Sequence, residues 1–125
     1  MAAQGSAVIT EETYGSVKSV KWVWVAGTGG TVLQACTTTA FYSGQVLFFV
    51  TVPSGGATAP TDNYDCTIID KNGVDILADA GMNRDTASTE SILAASLGTC
   101  ANSQLELNVS AAGSAGKGTV YLWLR

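Results

Sequence analysis

The side chains of this sequence that could do chemistry are ten carboxylates and three cysteines, with no histidine among them. Histidine is the commonest general base and metal ligand near neutral pH, so its absence removes Ser-His-Asp and Cys-His catalysis together. The acids are Glu11, Glu12, Asp62, Asp65, Asp70, Asp75, Asp79, Asp85, Glu90 and Glu106. Two of them across a cleft could hydrolyse a glycosidic bond. Five fall between Asp62 and Asp79, however, within or beside turn sequences, where aspartate caps backbone N–H groups and keeps sheet edges wet. The run Asp70-Lys71-Asn72-Gly73-Val74-Asp75 offers oxygens at short spacing, as a calcium loop does. It departs from the EF-hand order, which wants glycine at the sixth position and glutamate at the twelfth. Cys36, Cys66 and Cys100 are odd in number and lack a C-x-x-C spacing, so they read as small buried apolar residues in a reducing compartment. No nucleophile elbow, P-loop or H-E-x-x-H is present. Gly27-Thr28-Gly29-Gly30 sits between two strand-like segments and opens no helix, so it is no phosphate cradle. The expectation is no catalytic residue, no metal and no cofactor.

What remains is surface. Trp22, Trp24 and Trp123 stand at alternating positions in strand-like segments, where core packing is the default. Both faces of these segments are apolar, though: Val23 and Val25 oppose the tryptophans, and Tyr121 and Trp123 oppose Val120, Leu122 and Leu124. A monomer rarely leaves that much apolar surface in water. The candidate interface is therefore Ala7, Val8, Ile9, Trp22, Trp24, Phe49, Tyr121 and Trp123. A carbohydrate platform would draw on the same aromatics but needs flanking polar groups.

The elements that must position these residues are strands. The chain has 125 residues, one domain's length, with 46% hydrophobic and 13% charged residues and 14 glycines. Val17–Ala26 alternates, with Val20, Trp22, Trp24 and Ala26 on one side. Thr31–Thr39 follows the glycine turn. Gln45–Val52 is apolar on both faces, with Leu47 and Phe49 opposite Val46, Phe48, Val50 and Val52. Such a strand is either central in a sandwich or covered by a partner. Tyr64–Ile69, the turn Asp70–Gly73, and Val74–Leu77 come next, then a crossover loop over Asp79–Thr89. Ser91–Leu97 fits a strand or a helical turn equally well. Gln104–Val109, with Leu105, Leu107 and Val109 inward, and Thr119–Leu124 complete the chain. Seven to eight short strands joined by turns predict an all-β, single-domain antiparallel sandwich or jelly roll over residues 16–125. Residues 1–15 are expected to form an N-terminal arm or short edge strand.

Charge narrows the partners. A net charge of −4 and six scattered basic residues exclude a nucleic-acid stripe. The longest apolar run, Val46–Val50, is far short of the roughly 20 residues a spanning helix needs. The first residues show no basic start or apolar stretch, so no secretory signal is expected and assembly in a cytoplasm is.

Three segments carry a family likeness: Ala59–Leu77, Gly81–Thr86 (Gly-Met-Asn-Arg-Asp-Thr) and Gly116–Leu122. About half the chain, from Pro60 on, resembles small structural proteins of tailed bacteriophages, most of all capsid decoration (cement) proteins. The resemblance implies a virion protein, assembled in the host bacterial cytoplasm, that binds the outside of the shell. Its implied partners are the major capsid protein and copies of itself, with no nucleic acid or membrane. A tail, neck or fibre-associated component and a carbohydrate- or surface-binding module are the alternatives. Ala2–Glu12 is expected as the arm that reaches a neighbour.

Overall fold

A computed structural model describes residues 5–34 and 36–125. The arm residues before Gly5 and the strand position at Ala35 lie outside the described residues. The protein is all-β. Its strands are β1 (Gly5–Tyr14), β2 (Val17–Val25), β3 (Val32–Gln34), β4 (Tyr42–Pro53), β5 (Asp65–Ile69), β6 (Glu90–Leu93), β7 (Thr99–Ser103), β8 (Glu106–Ser110) and β9 (Lys117–Leu124). Eight of them lie on one hydrogen-bonded path, β5-β8-β3-β1-β2-β9-β4-β6, and β7 pairs with β4 off that path. Pairings are antiparallel except for the short β1–β3 contact.

That contact is where the path folds into two layers. Only Gly5 and Ser6 pair with β3, with a register shift between them. A Cβ on Gly5 would sit 2.2 Å from the Val25 carbonyl oxygen and 2.4 Å from that of Thr31, so only glycine lets three backbones meet there. Beyond the corner, β1-β2-β9-β4-β6 forms the large sheet and β3-β8-β5 the small one, a β-sandwich. The large sheet contributes Val20, Trp22, Trp24, Val46, Phe49, Val120, Leu122 and Leu124 to the core. Cys66, Ile68, Leu107 and Val109 answer from the small sheet, with Tyr64, Ile76, Leu77 and Leu105 from the loops. The Trp24 and Tyr64 rings meet at 5.5 Å, and Trp22 Nε1 donates to the Cys36 carbonyl at 2.9 Å, so the tryptophans fasten layer to layer. Each such side chain contributes about 1.5–3 kcal/mol on burial.

The residues expected to share a side in β2 and β9 do so, and the inward set expected around β8, Leu105, Leu107 and Val109, is the one seen. Four expectations are corrected. Residues 1–15 are no arm or edge strand where described: β1 is ten residues long, pairs with β2 along nine of them, and lies within the path. In β4 the alternation slips. A register shift between Val46 and Phe48 turns Val46 and Phe49 inward together and Phe48 outward. A bulge absorbs one extra residue, Leu47, which a strict period of two cannot represent. Among the described residues of Thr31–Thr39, strand runs over Val32–Gln34, and Thr37 makes an isolated bridge to Glu106. Val74–Leu77 is turn, joined to β5 by the bridge Ile69–Asp75, because Asp75 caps the Ile68, Leu77 and Asp79 N–H groups. Ser91–Leu97 divides between β6 and a short 3-10 turn at Ala94–Ser96.

Candidate interaction surface

The sheet register fixes what the outer face of the large sheet presents. Side chains alternate across a strand, so residues paired with an outward neighbour are outward too. Three rows cross the sheet: Val8–Val23–Thr119–Val52, Thr10–Lys21–Tyr121–Val50–Ser91, and Glu12–Ser19–Trp123–Phe48–Leu93. A fourth, Ser6–Val25–Lys117, closes one end. Val8 is 71% exposed and Leu93 68%, and Val23 and Val25 are exposed as well. Phe48 and Trp123 pack at 5.8 Å with tilted rings, and Tyr121 stacks on Trp123 at 5.6 Å, 8° from parallel. Because the latter two rings cover each other, neither offers both π-faces to a ligand.

At the Val25 end, a groove of about 350 Å³ is lined by Val23, Val25, Val52, Pro53, Lys117 and Thr119, with Trp24 and Gly118 beneath. Lys21 and Lys117 are the cations of this face. Among the described residues the ion pair is Arg84–Glu90 at 3.5 Å, far along the chain, so both lysines are free of carboxylate partners.

Of the eight interface candidates, this face collects Val8, Tyr121 and Trp123. Trp22, Trp24 and Phe49 are fully buried and Ala7 is 7% exposed, all facing the small sheet, so they cannot contact a partner. Ile9, half-buried, packs on the core from the same inner side. Sequence reasoning missed Val23, Val25, Phe48 and Leu93. The valines were signalled by their parity against Trp22 and Trp24, whereas Phe48 was hidden by the bulge and Leu93 by the undecided Ser91–Leu97 segment.

Most of the carboxylates are engaged in structure. Asp70 Oδ1 accepts the Asn72 and Val74 N–H groups at 2.8 and 3.0 Å, Asp65 accepts Asn83, and Asp62 accepts Thr86. Asp85 takes Ala87 and Ser88 N–H groups, which hold its carboxyl below its ordinary range. Among the described residues no three Cys, Asp or Glu converge as a metal site would require. All three thiols are free and buried. Burial pushes each of them up, Cys66 to about 12, which leaves almost no thiolate to react. Glu11 acts as a staple: its carboxylate accepts from Thr39 N at 3.0 Å, Ala40 N at 3.1 Å and the Tyr42 hydroxyl at 2.7 Å. Burial raises its pKa, but the three donors outweigh that and hold it below the usual value. Trp24 Nε1, Thr51 Oγ1 and Tyr64 OH are buried without hydrogen-bond partners. No helix among the described residues is long and apolar enough to cross a membrane.

No family model matches the chain, and no curated protein does. Among solved structures it is similar to a cupin domain from Bordetella pertussis Tohama I, at 13% identity over 100% of this chain and 98% of that one, with a TM-score of 0.40. A likeness that faint carries no argument about function.

Proposed function

We propose that this protein is a structural component of a phage virion, a decoration protein that works by contact and not by catalysis. The observation that carries the reading is the outer face of the large sheet, where Val8, Val23, Val25, Phe48, Tyr121, Trp123 and Leu93 crowd one side of a domain whose core is already complete on the other. Continuous apolar surface of this kind on a soluble domain marks a protein contact. The likeness of the Pro60–Leu122 region to tailed-phage structural proteins supplies the partner class: the major capsid protein and neighbouring copies. Copy number then multiplies modest contacts over the shell.

The test is co-sedimentation with expanded, DNA-free capsids of the tailed phage that carries the gene. Ser91→Glu with Leu93→Glu plants two carboxylates beside Phe48 and Trp123 at exposed positions, so the fold survives. The wild-type protein is expected to sediment with the shells, and the double variant to bind at least tenfold more weakly. Failure of the wild type to bind shells, or equal binding by the variant, overturns the reading. Binding to purified tails instead would assign the face to a tail component.

A further inference from the structure

Charge is divided unevenly between the two ends of this sandwich. Residues 5–53 and 117–125, which build β1–β4 and β9, hold Lys18, Lys21, Lys117 and Arg125 against Glu11 and Glu12. Glu11 is turned to its staple, so the outer face itself shows Lys21 and Lys117 against Glu12. The stretch from Asp62 to Asp85, by contrast, holds six aspartates against Lys71 and Arg84. It wraps the outer edge of β5, tied there by Cys66 N to the Gly81 carbonyl and Ile76 N to the Ile68 carbonyl. Two large apolar side chains stand out of this acidic ridge, Val74 at 56% and Met82 at 37% exposed. Met82 is held firmly, because Arg84 Nε and Nη2 both donate to its carbonyl and its own N–H bonds the Asp79 carbonyl.

The ridge therefore has the inverse chemistry of the groove on the large sheet: apolar knobs among carboxylates, against an apolar slot bordered by lysine. We propose that the Val25–Lys117 end of the outer face takes the acidic ridge of a second copy of this chain, with Met82 or Val74 in the groove. The aromatic end, Phe48, Trp123 and Leu93, stays free for the shell. This rests on the reading of that face as a contact surface and names its neighbour. A face-to-ridge contact is heterologous, so it closes into a ring or extends along a lattice and does not stop at a two-fold dimer. A stable contact buries about 800 Å² per partner, against 5972 Å² for the whole surface, so one molecule has room for both halves of it.

The test is sedimentation equilibrium of the full chain at low and high salt, with two complementary variants. Lys21→Glu with Lys117→Glu reverses the face, and Asn72→Lys with Asp79→Lys removes most of the ridge's net negative charge. Wild type is expected to self-associate, at least tenfold more weakly in 1 M salt than in 50 mM. The face-reversed variant alone is expected to be monomeric, since like charges then meet, the ridge variant alone to associate at least tenfold more weakly than wild type, and an equimolar mixture to associate more strongly than either variant alone. Thermal melts of each variant establish that it is folded. A wild-type protein monomeric at every concentration, association indifferent to salt, or a mixture that stays monomeric overturns the proposal. The face-reversed variant, added to shells, separates the two readings: if it still sediments while self-association never appears, the shell reading stands and this one falls.

Discussion

Gly118→Ala isolates one packing contact on which the core and the groove floor both depend. Gly118 faces Trp24 across the β2–β9 pair and Pro53 across β9–β4. A Cβ there would lie 2.6 Å from Trp24 Cζ2, 2.9 Å from Cε2 and 3.1 Å from Nε1. Trp24 is wholly buried and wedged against Tyr64, so the indole has no free direction in which to yield. Overpacking of this kind costs roughly 1–3 kcal/mol. The alanine also restricts the unfolded chain, which offsets about 0.4–1 kcal/mol. The net expectation is a loss of about 1–2 kcal/mol, read as a fall of roughly 1 M in the urea midpoint at unchanged slope. Gly29→Ala is the control, because nothing lies within 4 Å of its Cβ; it should change stability by less than about 0.5 kcal/mol. Adding Trp24→Phe to Gly118→Ala should cost less than the two changes summed, since the smaller ring vacates the space. A Gly118→Ala protein as stable as wild type, or strict additivity with Trp24→Phe, would refute the reasoning.

Two further perturbations probe buried and half-buried polar groups. The Glu11 carboxyl is held below its ordinary pKa, so its staple contributes fully above the unfolded value near 4.5 and is lost as pH falls through the lower folded value. Glu11→Ala should therefore cost about 1 kcal/mol at pH 7, after discounting for solvent screening, and the gap to wild type should narrow in urea titrations towards pH 3; a constant gap would count against the staple. Tyr64→Phe removes a wholly buried hydroxyl whose polar neighbour, the Thr51 hydroxyl, stands outside hydrogen-bond geometry. Its loss should leave the urea midpoint unchanged or slightly raised, and a fall of more than about 1.5 kcal/mol would show that the hydroxyl is satisfied after all.

The sequence by itself determined the fold class and much of the core. Alternation in Val17–Ala26, Gln104–Val109 and Thr119–Leu124 sorts the residues onto the two sides correctly, because in a two-layer protein one side of each strand must be dry, but it left open which side of Val17–Ala26 faces the core. The lack of histidine and the turn setting of the aspartates were legible too, since both are local facts. Tertiary structure alone decided which apolar faces remain outside. The Leu47 bulge turns the half-buried Phe48 to the outer face and Phe49 to the core; whether a ladder slips depends on its neighbours β9, β6 and β7, which no local pattern reveals. The place of β1 was equally hidden. Its polar-to-apolar sequence suits an edge, yet the glycine corner at Gly5 draws it between β2 and β3. Long-range register, and not residue type, divides Trp22 and Trp24, which fasten the layers, from Trp123, which shares the outer face with Val23 and Val25.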